Sequence, residues 1–318
     1  MRNWTRIVGG LLTVWMICGC GVAPGAGFSW SQKEGEYIDL LYNGRKLTRY
    51  MYAYDTSNEQ RRFETYKPFL HVFDENGEKL LTNGPDGEHP YPKKNITYPH
   101  HRGIFIGWRR LGFGGRYYDT WHMQVPQVHQ RFLERTAGPD KATLTALIHW
   151  NDEQGKPMVE EKRRMTVYRP SGKTILLLDV ETELKAVRGE VKLDGDPEHA
   201  GLQYRAHNDV ASGGPEVKAK YLFHKEGINP RRDKDLPWVA MEYGLNGKRY
   251  TGEYMNHPGN PKGTIYSAYR DYGRFGAFFK HVLPAGQSLK LRYRIWVGKG
   301  QMPSRQELAR RYRSFIGQ

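Results

Sequence analysis

The chain has 318 residues, of which 13% are aromatic, and it carries 49 Lys and Arg residues against 34 Asp and Glu residues. This length fits one large or two small domains. The formal charge of +15 at neutral pH is compatible with an acidic partner, although a solvated basic surface with no specific partner is the commonest outcome. The sequence has no nucleic-acid-binding motif, no P-loop and no dinucleotide fingerprint, which argues against nucleotide-dependent and nucleic-acid-binding classes. We therefore expect no cofactor and no nucleic acid partner.

The chain begins with a segment typical of export. A positively charged start precedes an apolar run over residues 7–20 that is too short to span a bilayer comfortably. Its last four residues, ICGC, resemble a bacterial lipobox. We expect a lipoprotein signal peptide at 1–19, lipidation of the Cys20 sulfur and a tether over 20–35. An ordinary signal peptide that is cut at another site is the alternative.

The expected location follows from that reading. A lipid on Cys20 would anchor the exported protein to a membrane, in the periplasm or at the outer membrane and cell surface. Both cysteines of the chain lie within the first 20 residues. The mature domain, predicted over residues 36–318, would therefore carry neither a disulfide nor a thiol nucleophile.

The body of the chain is predicted to be almost entirely β. Short runs alternate apolar and polar residues, and an Asn-Gly pair at 43–44 predicts a tight hairpin. The predicted strands are 37–42, 45–54, 69–73, 79–81, 142–150, 158–169, 174–184, 218–223, 238–243, 249–255, 275–282 and 288–297.

One convincing helix is predicted, at the C-terminal end of the sequence. Ser304 and Glu307 form a capping box just before the apolar positions Leu308, Tyr312 and Phe315. There is no βαβ rhythm and no internal repeat. The whole pattern predicts an all-β protein, a large antiparallel β-sandwich of the two-sheet type found in sugar mutarotases, with a short C-terminal helix.

Polar and aromatic residues collect in the long segments between the strands. The stretch YPHHRGIFIGW at 98–108 places three hydrogen-bonding groups at the mouth of a strand. If this triplet is extended, His100 and Arg102 face one side of the chain and His101 the other. Similar clusters lie at 117–122, 198–209 and 255–273. Four such clusters on an apolar β framework predict one shared concave site.

Several of these elements resemble a bacterial family that is labelled methane oxygenase PmoA-like. They are the HHRG element at 100–103, Trp121-His122, Glu161 with Arg163, and HPGNP at 257–261 leading into RDYG at 270–273. The resemblance covers roughly residues 36–298. Arg274 departs from it, since a small or apolar residue commonly follows that last element in the family. The methane label does not suit a chain without membrane-spanning runs in its body, and the family's companions in exported carbohydrate-processing systems imply sugar ligands.

Acid–base chemistry on a sugar needs a proton donor and an acceptor held close together, and histidine titrates nearest to neutral pH. Aromatic rings pack on sugar faces, while arginines hold carboxylates or developing negative charge. The predicted catalytic residues are His100, His101, His122, Glu161, His257 and Asp271. The predicted substrate-binding residues are Arg102, Trp121, Arg205, Asn260 and Arg270.

Three functions remain open at this point. The first is an exported enzyme that performs lyase, hydrolase or epimerase chemistry on glycosides or oxidised, 3-keto glycosides, with a carbohydrate partner that is acidic in one version. The second is a non-catalytic glycan-binding lipoprotein. The third is a metal-dependent enzyme that uses His100 or His101 with His122 and His257, although no tight metal motif such as HExxH is present. Glu161 and Asp271 also have a structural interpretation, as partners of neighbouring basic residues.

Overall fold

β-Strands dominate the computed structural model, which describes Met1 and residues 27–318. The strands in chain order are β1 Phe28–Lys33, β2 Tyr37–Tyr42, β3 Arg45–Met51, β4 Phe69–Val72, β5 Ile104–Trp108, β6 Arg110–Phe113, β7 Arg116–Tyr118, β8 Gln127–Ala137, β9 Lys141–Asn151, β10 Pro157–Tyr168, β11 Thr174–Ala186, β12 Val191–Asp194, β13 Ala200–Arg205, β14 Lys220–Phe223, β15 Trp238–Leu245, β16 Lys248–Asn256, β17 Ile265–Tyr266, β18 Arg274–Phe278, β19 His281–Leu283 and β20 Ser288–Lys299. The helices are α1 Glu59–Thr65, α2 Asn208–Ser212 and α3 Arg305–Ile316.

The strands form two large antiparallel sheets and a small one. The front sheet has the order β1-β2-β3-β4-β5-β13-β18-β17, and the back sheet has the order β14-β15-β16-β20-β11-β10-β9-β8. A third sheet of four strands has the order β19-β12-β6-β7. The inward faces of the two large sheets share one continuous apolar core. The predicted all-β sandwich with a C-terminal helix is therefore confirmed.

Local sequence signals explain the parts of the fold that were predicted correctly. Asn43 and Gly44 both have positive φ, at 51° and 80°, so they form the tight turn that joins β2 to β3. In β20 the residues Leu291, Tyr293 and Ile295 are buried at every second position and point into the core.

Helix α3 covers part of the outer face of the back sheet. It begins after Ser304, whose hydroxyl accepts the Glu307 backbone N–H as the capping box predicts. Leu308 of the helix packs with Trp238 and Trp296 in a second, smaller apolar cluster. None of the helices in the described part of the chain is both long and apolar enough to cross a bilayer.

Several predictions of local structure need correction, among them the strand at 79–81, where only an isolated bridge between Phe73 and Leu80 forms. The predicted tether over 20–35 includes β1, whose Phe28 is buried and which pairs with β2 along its whole length, so the folded part starts before residue 36. Residues 2–26, with the predicted signal peptide and Cys20, lie outside the described residues. The predicted strand 275–282 is two strands, β18 in the front sheet and β19 in the third sheet. Helices α1 and α2 were not predicted.

Candidate functional site

The candidate site lies on the outer face of the front sheet. In β5, Ile106 and Trp108 point into the core, so Phe105 and Gly107 face outward. The segment that follows β7 crosses this outward face, and the ring of Trp121 packs against Phe105 with centroids 5.0 Å apart. Gly107 leaves room for this crossing, since a Cβ there would lie 3.1 Å from the Thr120 carbonyl oxygen.

A tight turn brings the two adjacent histidines together. The His101 N–H donates to the Tyr98 carbonyl oxygen at 2.9 Å, and Tyr98 has a φ of 57°. As a result the rings of His100 and His101 lie 4.4 Å apart and nearly perpendicular. The opposite-face arrangement expected for an extended triplet does not occur, because the backbone here is a turn and not a strand.

The residues after the histidines fix this turn to the sheet. Gly103 has a φ of 51°, and a Cβ there would lie 2.3 Å from the Leu70 carbonyl oxygen of β4. Arg102 is fully buried and donates to the backbone carbonyls of Phe63 and Glu64 in α1, the latter at 2.8 Å. Arg102, predicted to bind substrate, thus ties the turn to α1 and stands behind the site.

Two Asp–His pairs lie beside the turn. Asp119 accepts from Nδ1 of His122 at 2.7 Å, and Asp196 binds Nδ1 of His199 at 2.8 Å. When Nδ1 of a neutral histidine donates to a carboxylate, Nε2 is an acceptor that is free for a ligand. The ring of His122 lies 4.5 Å from that of His100 and 5.4 Å from that of His199.

His100 and His122 open into a cleft of about 410 Å³. Burial and the positive charge of nearby Lys67 lower the pKa of His100 to about 2, so this imidazole is neutral at physiological pH. The cleft is lined by Glu59, Arg62, Phe63, Tyr66, Lys93, Pro99, His100, His122 and Met123.

A floor of buried polar groups, formed by His101, Trp121 and Arg274, lies behind the half-buried His100 and His122. His101, Trp121 and Arg274 are at most 3% exposed. The Trp121 ring lies 5.3 Å from the His101 ring and 5.6 Å from the Arg274 guanidinium. Within the described part of the chain, both His101 ring nitrogens, Trp121 Nε1 and Arg274 Nη2 have no hydrogen-bond partner. Lys67, 2% exposed, donates to the Trp121 carbonyl oxygen at 2.9 Å.

Tyr272 closes one side of this floor. Its hydroxyl accepts from Nε of Arg274 at 2.9 Å, and its ring lies 5.0 Å from that of Tyr98 and 6.1 Å from that of His101. Arg205, predicted to bind substrate, is fully buried beneath Tyr272 and donates to its backbone carbonyl. Tyr272 therefore joins the first and third clusters predicted from the sequence.

The rim of the site holds Arg270 in an ion pair. Arg270 Nη2 lies 2.9 and 3.0 Å from the two carboxylate oxygens of Glu198, and the Tyr269 hydroxyl donates to the same carboxylate at 2.8 Å. These bonds lower the pKa of Glu198 although burial opposes the change. Glu198 directly precedes His199, so the Arg270–Glu198 ion pair borders the histidine group, which consists of His100, His101, His122 and His199.

Glu161 lies apart from this group, in the core between the two large sheets. It is fully buried on β10, and Arg163 makes two bonds to its carboxylate at 2.7 and 2.9 Å. The indole of Trp150 and the hydroxyl of Thr182 donate to the same carboxylate at 2.8 Å each. Glu161 therefore has the structural role that was the alternative to catalysis, as the partner of a neighbouring basic residue. It takes no part in the proposed chemistry.

The fourth predicted cluster divides. The ring of His257 lies 5.5 Å from Phe315 of α3, on the outer side of the back sheet, whereas the histidine group lies outside the front sheet. Asn260 is buried beside it and exchanges hydrogen bonds with the backbone of Arg292. Asp271 is exposed, and its backbone carbonyl accepts the Ala219 N–H. One shared site therefore contains three clusters and the Tyr272 end of the fourth.

A metal site needs several ligating atoms that lie close to one another. Within the described residues, the set whose ligand atoms all lie within 4.8 Å of one another is Asp86, Glu88 and His89. This set is on the surface, and Glu88 is already bound by Arg49 at 2.9 Å. The metal arrangement that required His257 together with His100 and His122 is not assembled.

Sequence reasoning missed five residues of the site: Lys67, Asp119, Asp196, His199 and Arg274. A local signal existed for part of this set. The pattern Asp-x-x-His occurs at 119–122 and at 196–199, and in both places the aspartate side chain binds Nδ1 of the histidine three residues later. Lys67 and Arg274 enter through contacts between residues far apart in sequence, which no local pattern reveals.

These features define an all-β sandwich protein with a histidine-rich, cationic site on one sheet face. Residues 37–313 match the model of DUF6807, a family of unknown function, and the chain belongs to that family. Comparison with curated proteins gives no match.

Two solved structures illustrate the similarity of fold. Heparan sulfate lyase HepC from Pedobacter heparinus is 10% identical, with a TM-score of 0.43 over 85% of this chain. The chain spans 36% of the length of that lyase. The GalM/aldose epimerase homologue from C. elegans is 7% identical, with a TM-score of 0.36 over 86% of this chain and 99% of the homologue. At these scores the similarities carry no argument about activity.

Proposed function

We propose that the protein is a carbohydrate-active enzyme that performs acid–base chemistry of the lyase, hydrolase or epimerase type on glycosides or 3-keto glycosides. The observation that supports this most directly is His122, half-buried in an open cleft with Nδ1 held by Asp119 at 2.7 Å. A carboxylate in that position orients the ring and stabilises its protonated form.

The neighbouring groups supply the remaining roles. His122 removes or delivers a proton through Nε2. His199, held in the same way by Asp196 and 5.4 Å from His122 between ring centroids, acts as the second proton carrier. His100, kept neutral by its lowered pKa, hydrogen-bonds substrate hydroxyls. The exposed ring of Tyr98 offers an apolar surface for a sugar face.

The test is to change His122 to Gln and measure turnover on neutral, acidic and 3-keto glycosides. Loss of a general acid or base should lower kcat by about a hundredfold to ten-thousandfold, with a smaller change in KM. A matched control is His89→Gln, because His89 forms the same kind of Asp–His pair with Asp86 at 2.8 Å but is exposed outside the cluster. Wild-type turnover in the His122 variant would contradict the proposal.

A glycan-binding protein without activity is the second candidate function. The observation in its favour is the aromatic wall of Tyr98 and Tyr272, whose rings lie 5.0 Å apart beside the cleft. Measurable binding of a glycan with no turnover by the wild type, on the same substrate panel, would favour this candidate over the enzyme.

We also propose that the protein is exported and anchored through lipid on Cys20, and that its family relationship extends to the PmoA-like proteins. The support is the ICGC lipobox after an apolar run and the HHRG and RDYG elements. Cys20→Ala should release the protein from the membrane fraction or block processing of the signal peptide. Unchanged processing and anchoring would contradict the lipoprotein assignment.

A further inference from the structure

We propose that Arg274, His101 and Trp121 bind the anionic substituent of an acidic sugar. The inference rests on the proposed function in taking the ligand to be a carbohydrate, and it names the substrate class. A carboxylate and a sulfate ester share the required chemistry, which is a negatively charged group with several hydrogen-bond acceptors. A neutral sugar lacks it.

The floor of the site contains buried polar atoms that have no hydrogen-bond partner in the described part of the chain. Arg274 Nη2 and Trp121 Nε1 are buried without a partner in the described part of the chain, and both can only donate. His101 adds two further unpaired ring nitrogens, of which one donates and the other accepts in the neutral imidazole. An unpaired buried donor carries the full cost of its lost hydration, so the neighbouring unpaired donors of Arg274, Trp121 and His101 fit a ligand group that accepts hydrogen bonds.

In the described part of the chain, no carboxylate forms an ion pair with the buried cations of this region. Arg274 hydrogen-bonds the Gln203 amide oxygen at 3.0 Å and the Tyr272 hydroxyl at 2.9 Å, both neutral. Arg205 and Lys67 bind backbone carbonyl oxygens. Buried cations are costly unless they are paired. The nearby carboxylate of Glu198 is already bound by a second arginine and by a tyrosine.

The pKa values of the basic groups in and around the floor are lowered, as expected for cations that have no anionic partner beside them. Burial lowers the pKa of Lys67 well below its usual value, and it lowers that of Arg205 to about 10. Burial, with the charge of Arg274, also lowers the pKa of His101 well below its usual value. A bound anion would reverse these shifts, because it favours the protonated form of each group.

Trp121 also places the floor next to the Asp–His pairs, because its ring lies 6.1 Å from that of His199. An anionic group bound to Trp121 and Arg274 would therefore sit beside the two Asp–His pairs. Neutralisation of a carboxylate by a fixed cation acidifies the proton on the adjacent carbon, which is the proton that His122 or His199 would remove.

The experiment is calorimetric titration of the mature protein with a hexuronate tetrasaccharide, its carboxyl-reduced counterpart and a sulfated neutral tetrasaccharide at matched ionic strength. The wild type should bind at least one charged ligand about tenfold or more tightly than the reduced one. Arg274→Gln should remove about tenfold to a hundredfold of that preference. Arg116→Gln, which removes the same charge at an exposed surface pair, should keep it.

Each outcome bears on the inference. Preference for the hexuronate identifies a carboxylate, and preference for the sulfated sugar identifies a sulfate ester. Equal binding of charged and reduced ligands by the wild type, or no binding of any of them, overturns the proposal without reference to a variant. An Arg274 variant that keeps the preference also overturns it, and Trp121→Phe provides the same test if the arginine variant does not fold. Charge-dependent binding without turnover would contradict the proposed enzymatic function but support the proposed anion site.

Discussion

Two buried arginines, Arg163 in the core and Arg274 under the site, look alike by exposure and differ in their partners. Both are at most 3% exposed. Arg163 makes two bonds with Glu161, whose carboxylate receives two more donors. Arg274 has two neutral partners and one nitrogen without any in the described part of the chain. Burial therefore does not separate a structural cation from a ligand-binding one, whereas the charge of its partners does.

The comparison gives opposite expectations for the two regions. The Arg163 pair is complete, so any change to one member leaves a buried charge behind. Arg274 has neutral hydrogen-bond partners and no carboxylate ion pair in the described part of the chain, so its neutralisation removes an unpaired charge. The first region should report on folding and the second on binding.

The largest expected effect is on the complete pair. Arg163→Met leaves the Glu161 carboxylate buried without its cation and should lower the free energy of unfolding by about 3–5 kcal/mol. Denaturant unfolding of the variant measures this. The double variant with Glu161→Gln removes both charges and should recover more than half of the loss. A single variant as stable as the wild type would break the comparison.

Acidification should act on the site region next. The pKa of His100 is lowered to about 2 and that of His101 well below its usual value, by burial and by the positive charges of Lys67, Arg205 and Arg274. The unfolded chain takes up protons near pH 6.5 that the folded protein does not. The two groups therefore cost no stability above that pH, and each lowers the free energy of unfolding by about 2 kcal/mol as the pH drops from 7 to 5.

His101→Phe separates this contribution from those of other histidines. The phenyl ring keeps the packing against Phe105 and Trp121 but cannot titrate, so the decrease in stability between pH 7 and pH 5 should become smaller. Thermal unfolding at several pH values measures the difference. An unchanged pH dependence would mean that His101 does not have the lowered pKa on which this prediction depends.

The smallest effect is expected from Arg274 in the absence of ligand. Arg274→Gln loses two hydrogen bonds but also a buried charge without a carboxylate partner, so the free energy of unfolding should change by no more than about 1 kcal/mol. A loss as large as that of Arg163→Met would show that Arg274 is a structural residue and would remove the distinction drawn above.

The sequence predicted those parts of the fold that are encoded locally. The Asn43-Gly44 turn, the alternation of β20 and the Ser304 cap each depend on residues within a few positions of one another. The division of 275–282 between two sheets depends on which strand lies alongside, and this is set by tertiary contacts. Strand β1 was missed, although its alternation of Phe28 and Trp30 with serines was visible.

The site was predicted in part for the same reason. His100, His101, Trp121 and His122 belong to short polar motifs, and the structure brings them together. The roles of distant residues were not accessible. Lys67 reaches the Trp121 carbonyl oxygen across 54 positions of sequence, and Arg274 reaches Gln203 across 71.

Gly103 has a consequence for how the protein would respond to random mutation. Any side chain there would collide with the carbonyl oxygen of Leu70, so even Gly103→Ala must push apart the backbone of β4 and the turn that carries both histidines. In a saturation screen this position should score among the inactivating sites although no ligand reaches it. A map of damaging substitutions would thus extend behind the site, along the backbone that holds it.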